Sequence, residues 1–419
     1  MLIRRVELAG AEVVDVRVTG GRIAEIGAAG ERLPGRADLD GRGAALLPGL
    51  HDHHVHLTAL AAQAASVRVG PADVGGRAGL AAALRTGPPG EWVRAVGYHE
   101  SVAGRLDRWV LDELAGDRPV RVQHRTGELW VWNSAALRAA GLDGDGCFWR
   151  EDGRLRAWTP PVPLDLPALG RRAAALGVTG LSNADPQPAA GLPALLSVLP
   201  QRVVVMGVDG PVKVLLDDAT LPPPAELAAA VRAVRPRPVA VHCVTRVQLL
   251  VTLLAFDDAG AVPGDRVEHG SVIPAETIPW IARLGLTVVT QPHFVVERGR
   301  EYATDVDPDD REHLYRCRSL AEAGVPVAAG TDAPFGGFDP WAAMRAAVDR
   351  DGAEALEPLE ALSLFTGRPE APGVPRYLDV GTPADFCLLR VPLREALDTL
   401  TGDVVRATFV DGRIVPAHL

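Results

Sequence analysis

Eight short apolar runs, each rich in β-branched residues, alternate with helix-like segments along most of this 419-residue chain. In chain order they read LLPGLHDHHVHL, VTGLSNAD, QRVVVMGV, PVKVLL, PVAVHCV, RVEHG, LTVVTQPHF and VPVAAGTDAP. Strands that alternate with helices favour a parallel sheet, and eight such units can close into a (β/α)8 TIM barrel. The pattern therefore predicts an α/β fold built on a barrel.

The two chain ends differ from the middle because apolar and polar side chains alternate there. Each end also contains a hairpin-turn signal, TGG near the amino end and DG near the carboxyl end. We expect the two ends, residues 1–47 and 375–419, to pair as one small β-sandwich with the rest of the chain inserted between them.

The gap between the first two apolar runs is too long for a single crossover. It contains its own strand-like pieces, WVRAVGYHE and RPVRVQH, and six of the eight tryptophans. We therefore predict an inserted α+β subdomain at residues 68–167. The barrel would start at 48–67 and continue at 168–374.

Charge and cysteine content exclude some functional classes. The formal net charge is −10 and no basic run occurs, which argues against a nucleic-acid partner. Charges interrupt the apolar residues at the amino end, so neither a signal peptide nor a membrane span is predicted there. The four cysteines are scattered, as is typical of a reducing compartment. We expect a cytoplasmic protein without a membrane partner, and a homodimer stays open.

The segment HDHHVH suggests a metal site. Side chains alternate between the faces of a strand, so Asp52, His54 and His56 share one face. Two histidines in this spacing can bind one ion from the end of a strand. A polar histidine cluster in a loop is the alternative.

Three further polar residues end apolar runs of the same kind. His242 closes PVAVH, His269 closes RVEH, and Asp332 follows VPVAAGT. Each alone is typical of a core or loop residue, but the carboxyl ends of barrel strands converge on one pocket. Imidazole and carboxylate are the ligands expected for zinc or a similar divalent ion.

Lys213, in the fourth run, is the only lysine in a chain with 43 basic residues. Burial lowers the pKa of an amine, and a neutral amine can add carbon dioxide to become a carbamate that bridges two metal ions. Arginine cannot do so because its guanidinium stays protonated. The alternative is that Lys213 is the last lysine left by drift toward arginine, on the surface.

These residues resemble the amidohydrolase superfamily. The segment PGLHDHHVH is similar to the family's Pro-Gly-x-x-Asp-x-His-x-His, and ADF near residue 384 is similar to its carboxyl-terminal return strand. The segments RVEHG, QPHF, GTDAP and RPVRVQHRTGELWVWNSAALRAAGL resemble the amidohydrolase family 3 branch that contains N-substituted formamide deformylases. The resemblance implies six metal ligands, namely His54, His56, Lys213, His242, His269 and Asp332.

The resemblance also implies an activity on a small-molecule substrate. We expect hydrolysis of a C–N bond in an amide, formamide or cyclic amide by a hydroxide that bridges two divalent ions. Asp332 would shuttle the proton, and His293 would contact the oxyanion or the substrate, with a structural loop histidine as the alternative. Zinc is the first expectation for the metal, with manganese, iron and cobalt as alternatives, and Lys213 would carry the carbamate.

Other residues and other functions stay open. Asp52 is expected to orient a ligand histidine, and four residues of the insertion are candidates for substrate binding: His99, His124, Glu128 and Trp130. An ordinary structural role in the subdomain is the alternative for these four. The functional alternatives are a deaminase with a mononuclear site, a lactone or ester hydrolase, and a non-catalytic scaffold.

Overall fold

The fold is known from a computed structural model, which describes residues 1–8, 10–88, 90–150, 152–185 and 188–417. The chain forms two compact units. The first unit comprises Met1–His56 and Leu166–Leu419, and the second comprises Leu57–Asp165. The second unit is thus an insertion in the first, and it begins before the predicted subdomain at 68–167.

The strands are short, as expected for a chain with this many turns. They are β1 Leu2–Leu8, β2 Glu12–Thr19, β3 Arg22–Ile26, β4 Leu39–Asp40, β5 Ala45–Pro48, β6 Leu50–Val55, β7 Val67–Arg68, β8 Val93–Tyr98, β9 Val120–His124, β10 Leu129–Trp132, β11 Cys147–Trp149, β12 Val178–Asn183, β13 Arg202–Val205, β14 Val212–Leu215, β15 Val239–Cys243, β16 Arg266–His269, β17 Thr287–Thr290, β18 Val327–Ala329, β19 Phe386–Leu389, β20 Val405–Val410 and β21 Arg413–Val415.

Helices separate most of these strands. They are α1 Leu57–Gln63, α2 Pro71–Val74, α3 Arg77–Leu84, α4 Glu100–Ala103, α5 Arg108–Ala115, α6 Ser134–Ala140, α7 Asp152–Leu155, α8 Leu166–Ala175, α9 Leu192–Leu196, α10 Pro224–Val234, α11 Arg246–Ala259, α12 Ile278–Leu284, α13 Phe294–Glu297, α14 Gly299–Asp305, α15 Cys317–Glu322, α16 Pro340–Val348, α17 Pro358–Ser363 and α18 Leu393–Thr399. Over the described ranges, none of them combines the length and the apolar character that crossing a membrane requires.

Both chain ends join one eight-stranded sheet in the first unit. Its order is β21-β20-β19-β5-β1-β2-β3, and β4 pairs with β1. A bridge between Arg22 and Pro383 links the β3 edge to the segment just before β19, so the sheet curls back on itself. Ile23, Phe386 and Phe409 are among the buried side chains that it encloses.

Two-residue turns close the hairpins at both ends of this sheet. Gly20 and Gly21, with φ of +59° and +76°, connect β2 to β3. Asp411 and Gly412, with φ of +51° and +70°, connect β20 to β21. A positive φ at both central residues is the requirement of a type I′ turn, and it explains the TGG and DG signals.

The eight apolar runs form eight parallel strands in the first unit. They lie in a three-stranded sheet, β13-β12-β6, and a five-stranded sheet, β14-β15-β16-β17-β18. Every neighbouring pair in these two sheets is parallel. Strands β6, β12, β16 and β17 are buried along their whole length, as is typical of parallel sheets covered on both faces. The predicted α/β class with parallel sheets is confirmed.

A large apolar core lies against the five-stranded sheet. Val241, Val267 and Val288, from three adjacent strands, are fully buried in it, and so are Leu249 and Phe256 of α11. Full burial of one such side chain contributes about 1.5–3 kcal/mol. This packing gives the sheet a rigid support, so the ends of its strands are held in fixed positions.

The helix after β15 shows how the local sequence sets the element boundaries. The Thr245 side chain accepts a hydrogen bond from the Gln248 N–H and caps the first turn of α11. Gly260, with φ of +78°, ends the helix. Only two residues separate the end of β15 from the start of α11, so the chain between them stays close to the sheet.

The second unit has its own sheet, of order β11-β10-β9-β8-β7. Strands β7, β8 and β9 are parallel, and β9, β10 and β11 are antiparallel. Trp130 and Trp132 are buried in a cluster against which Trp92 and Trp158 also pack. The core of this unit thus accounts for four of the six tryptophans noted in the sequence.

Candidate metal centre

The six predicted ligands lie on five parallel strands or directly after them. Strand β6 contributes a pair, β14, β15 and β16 contribute one residue each, and the sixth follows β18. Parallel strands have their carboxyl ends on one edge, so these side chains can meet there. In chain order they are His54, His56, Lys213, His242, His269 and Asp332.

The shortest contacts in this group converge on two side chains, Asp332 and His54. Asp332 Oδ1 lies 3.6 Å from His54 Nε2 and 3.3 Å from His56 Nε2. The Lys213 amine lies 3.5 Å from His54 Nε2. One donor atom each of His54, His56 and Asp332 lies within 4.8 Å of the others, a spacing that suits a single ion.

The two remaining histidines complete the same cluster. The ring centre of His269 lies 4.6 Å from that of His54 and 4.5 Å from that of His242. His269 Nδ1 is 4.0 Å from Asp332 Oδ2. Contacts therefore run without a break from the histidine pair of β6 to the histidines of β15 and β16.

Unusual backbone conformations hold two members of the cluster. His269 has φ of +68° and Asp332 has φ of +52°, in the left-handed region that non-glycine residues rarely adopt. Such conformations cost about 1–3 kcal/mol and persist where the surroundings over-determine them. Gly330 lets the strands approach, because a Cβ there would lie 2.4 Å from the His54 nitrogen.

Three of the four clustered histidines have their Nδ1 atom beside an acceptor side chain. His54 Nδ1 contacts a Glu268 carboxylate oxygen. His56 Nδ1 lies 2.9 Å from Asp185 Oδ1, and His269 Nδ1 lies 2.9 Å from Gln291 Oε1. A histidine that donates its Nδ1 proton keeps a lone pair at Nε2, which is the usual arrangement of metal-binding histidines.

Other atoms of the cluster are buried without a partner. Within the described ranges, His242 Nε2 and Asp332 Oδ1 have no hydrogen-bond partner. Burial lowers the pKa of His54 to about 3 and also lowers the pKa of the Lys213 amine, so neutral forms are favoured there. The pKa values of His242 and His269 are also lowered by burial. Burial would lower the pKa of His56 as well, but its contacts with Asp185 and Asp332 raise it to about 9, so a metal ion would displace a proton from that ring. The three neutral imidazoles, a carboxylate and unsatisfied buried atoms fit a divalent metal ion.

Glu268 stays ionised although it is fully buried. Burial alone would raise the pKa of this carboxyl, but the charge of Arg266 and the hydrogen bond with the His54 ring hold its pKa below the usual range. Arg266 is itself 2% exposed, and its Nε lies 2.5 Å from Glu268 Oε1. The cluster therefore contains a second carboxylate besides Asp332.

Asp52, which was expected to orient a ligand histidine, contacts His54 through the backbone and not through the ring. Its carboxylate accepts hydrogen bonds from the backbone N–H of His54 at 3.2 Å and of Thr331 at 2.9 Å, and from the Thr331 hydroxyl. It thus connects β6 to the segment after β18 through the backbone. The acidic side chains at the Nδ1 atoms of His54 and His56 are Glu268 and Asp185.

His293 lies beside the segment that carries Asp332. It is 3% exposed, and its Nε2 lies 3.2 Å from the carbonyl oxygen of Thr331, to which it can donate. Burial lowers the pKa of His293 to about 4, so the ring is neutral near pH 7. Its contact with an oxyanion or a substrate stays a prediction.

Two of the substrate-binding candidates meet in the second unit. His99 follows β8 and His124 ends β9, their ring centres are 5.8 Å apart, and His124 Nε2 lies 3.0 Å from Glu100 Oε2. Each Nδ1 accepts the N–H of the residue two positions on, Ser101 and Thr126 respectively. The proton of each neutral ring is therefore on Nε2, which suits donation to an acceptor better than metal binding.

The other two candidates have structural partners within that unit. Glu128 Oε1 lies 2.6 Å from an Arg150 guanidinium nitrogen. Trp130 is 4% exposed and lies between the guanidinium groups of Arg94 and Arg121, 5.2 and 5.3 Å from its ring centre. Packing and cation–π contacts explain Trp130 without a ligand, and a role of either residue in substrate binding stays a prediction.

The sequence interpretation missed four residues, namely Asp185, Glu268 and Gln291, which contact histidine rings, and Arg266, which contacts Glu268. Asp185 ends the strand-like run VTGLSNAD, just as His242 and His269 end theirs. This position could have indicated a residue of the site. Glu268 and Arg266 are charged residues inside a short buried strand, which is unusual without a partner. Gln291 gave no comparable signal, because a polar residue after a strand is common.

Comparison with known proteins identifies the family of the chain. The sequence profile of the amidohydrolase family matches residues 206–416, about half of the chain. The chain is 24% identical to an N-substituted formamide deformylase of Arthrobacter pascens, and the match covers 98% of this chain and 96% of that protein. The similarity therefore extends beyond the profile match to both compact units.

Solved structures give the same picture for the fold. An uncharacterized metal-dependent hydrolase of Pyrococcus horikoshii OT3 superposes with a TM-score of 0.70 at 19% identity, covering 93% of this chain and 97% of that one. The atrazine chlorohydrolase TrzN of Arthrobacter aurescens TC1, solved with zinc and atraton, gives 0.56 at 17% identity, covering 99% and 94%. The chain belongs to the amidohydrolase family and is a metal-dependent amidohydrolase.

Proposed function

We propose that this protein hydrolyses a C–N bond of a small amide, formamide or cyclic amide at a centre of two divalent metal ions. The observation that carries the proposal is the convergence of four histidines, one lysine and one aspartate, with acceptor side chains at the Nδ1 atoms of three of the histidines. Such a set leaves nitrogen lone pairs and a carboxylate free for metal ions, zinc first among them.

The proposed ligands divide into two groups. His54, His56 and Asp332 would hold one ion, His242 and His269 would hold the second, and Lys213 would serve both. When bound, a pair of divalent ions supplies an activated water and polarises the substrate carbonyl at neutral pH. The protein's own contribution is to hold the ligands apart at fixed positions in a buried site.

Lys213 would act as a carbamate. Its neutral amine attacks carbon dioxide, one N–C bond forms, and the electron pair of one C=O π bond moves to oxygen. One proton leaves the nitrogen for water, and the product is a carbamate anion with two oxygen donors. Three observations support this step: Lys213 is the only lysine, it is buried, and its pKa is lowered by burial. Arginine could not replace it, because the guanidinium holds its proton.

Asp332 would carry the proton. Its Oδ1 is buried and meets no hydrogen-bond partner in the part of the chain that the structure covers. The carboxylate can accept a proton from the attacking water and return it to the leaving nitrogen. Delivery of this proton allows the amine to leave as a neutral molecule.

We also propose that the two parallel sheets close into the predicted (β/α)8 barrel. Backbone hydrogen bonds support closure on one side: Asp332 N–H donates to His54 O at 2.7 Å, and His56 N–H donates to Ala333 O at 2.8 Å. These bonds attach the end of β6 to the segment after β18. The curled eight-stranded sheet would be the small domain that was expected as a β-sandwich.

The choice of substrate class rests on the likeness to the formamide deformylase of Arthrobacter pascens. At 24% identity over nearly the whole of both chains, it favours hydrolysis of N-formyl and other amides over deamination or the hydrolysis of lactones and esters. The substrate itself would be a small molecule, since the donor atoms of the centre are buried.

The experiment is a substrate screen with metal-loaded protein. N-formyl amines, N-acyl amines and cyclic amides form the first group, and lactones and simple esters form the second. We expect turnover of at least one amide class, abolished by a chelator and restored by zinc. Turnover of esters alone, or protein that retains no divalent metal after purification with zinc and bicarbonate, would overturn the proposal.

A further inference from the structure

Glu268 is a fully buried carboxylate of β16 that contacts one proposed metal ligand and precedes another. Its Oε2 contacts His54 Nδ1, and its Oε1 lies 2.5 Å from Arg266 Nε in an ion pair that lacks hydrogen-bond geometry. Arg266 and Glu268 are two residues apart on one strand, so their side chains lie on the same face. The result is a continuous chain of contacts from Arg266 through Glu268 to the His54 ring.

A buried ion pair of this kind adds little to stability, because the cost of desolvating both charges offsets most of their attraction. The contact with His54 gives the pair another role. A carboxylate that accepts the Nδ1 proton of a histidine fixes the tautomer with its lone pair at Nε2. In this structure His54 Nε2 faces the Lys213 amine at 3.5 Å and Asp332 Oδ1 at 3.6 Å.

We propose that Glu268 is a positioning residue of the metal centre. It holds the His54 ring with Nε2 directed at the ion, and Arg266 holds the Glu268 carboxylate in place. The inference rests on the metal centre proposed above and extends it to residues outside the predicted ligand set. Glu268 takes no part in bond making, so its effect reaches the reaction only through the ion.

The direct test is metal affinity, measured by competition with a chromophoric chelator. Glu268→Gln keeps an acceptor of the same shape but removes the charge, and Glu268→Leu removes the acceptor altogether. We expect zinc affinity to fall about 10- to 100-fold, with the larger loss in Glu268→Leu. Excess zinc should restore kcat in Glu268→Gln while KM stays as in the unaltered protein.

Asp265→Asn is the matched control. Asp265 is also fully buried, and its carboxylate lies 2.6 Å from Arg235 and accepts the N–H of Val239 at 2.7 Å. It precedes β16 and contacts none of the histidines in the described structure. We expect this variant to lower the denaturant midpoint while zinc affinity stays within about twofold of the unaltered protein.

A second measurement needs no substitution of Glu268. In zinc-loaded protein labelled with ¹⁵N-histidine, His54 should show a protonated Nδ1 with its proton shifted downfield, assigned by its loss in His54→Asn. An unprotonated Nδ1, equal zinc affinity in Glu268→Gln, or equal zinc loss in Asp265→Asn would each overturn the inference. If the unaltered protein binds no zinc, the metal centre proposal fails first, so the two failures are distinguishable.

Discussion

Histidines lie at the ends of parallel strands in both compact units, but their ring nitrogens are used in opposite ways. In the first unit, His54 and His56 have Nδ1 beside carboxylates. In the second unit, His99 and His124 have Nδ1 accepting backbone N–H groups. The first arrangement leaves a lone pair at Nε2, whereas the second places a proton there.

A histidine at the end of a strand is therefore not enough to indicate a metal site. The hydrogen-bond partner of Nδ1 decides whether Nε2 can bind a metal ion. Where that partner is an acceptor, Nε2 keeps a lone pair and can bind a metal ion. Where it is a donor, Nε2 carries the proton and can donate a hydrogen bond. Each of the following predictions tests one side of this difference, beginning with the largest expected effect.

Lys213→Arg should bring both metal content and activity to background, because the guanidinium cannot form a carbamate and adds a positive charge beside His54. Metal analysis and rate measurements on the same preparation check this. Lys213→Ala should behave similarly, but short carboxylic acids should restore part of its activity. Normal metal content and rate in Lys213→Arg would rule out the bridging role.

Asp332→Asn should lower kcat about 10²- to 10⁴-fold, as expected when a general acid–base group is lost. Its amide is nearly isosteric with the carboxylate, so the fold should persist. Circular dichroism and steady-state kinetics under saturating zinc separate the two effects. A kcat within a few-fold of the unaltered protein would remove Asp332 from proton transfer.

Asp185→Asn should weaken zinc binding by about 10-fold, at the low end for partners of metal-binding histidines. The effect should be smaller than for Glu268 because His56 and Asp185 are partly exposed, 16% and 20%, and water can replace the lost contact. Chelator competition measures it. An affinity loss larger than that of Glu268→Leu would contradict this ranking.

His99→Gln combined with His124→Gln should leave the metal content unchanged, because these rings carry their protons on Nε2. The loss of the Nδ1 cap at the start of α4 should lower stability by about 1 kcal/mol. Metal analysis and urea denaturation measure the two quantities. A drop of one metal ion per chain would show that the second unit holds an ion of its own.

Much of the fold could be predicted from local patterns. The eight apolar runs coincide with the parallel strands, and the TGG and DG signals coincide with type I′ turns. These features depend on interactions between residues close in sequence, namely side-chain alternation and backbone conformation. The six proposed ligands could be predicted from the sequence for the same reason, because each lies in or just after a strand-like run.

The partners of the histidine rings could not be predicted in this way. Glu268 lies 214 residues from His54, and Asp185 lies 129 residues from His56. Which carboxylate meets which ring depends on the strand order of the sheets and on side-chain rotamers. Asp52 illustrates the difficulty, because it shares a face with His54 in the sequence pattern but contacts the backbone of His54 and both the backbone and the hydroxyl of Thr331, not a histidine ring.

From the sequence alone, residue chemistry and spacing determined the kinds of donor atom available and the strands that present them. A single lysine among arginines was visible without any coordinates. Only the tertiary structure decided which nitrogen of the His54 and His56 rings is free, because that choice follows from a contact with a carboxylate more than a hundred residues away in the sequence. Contacts with carboxylates, which form only after folding, therefore distinguish the histidines of the first unit from those of the second.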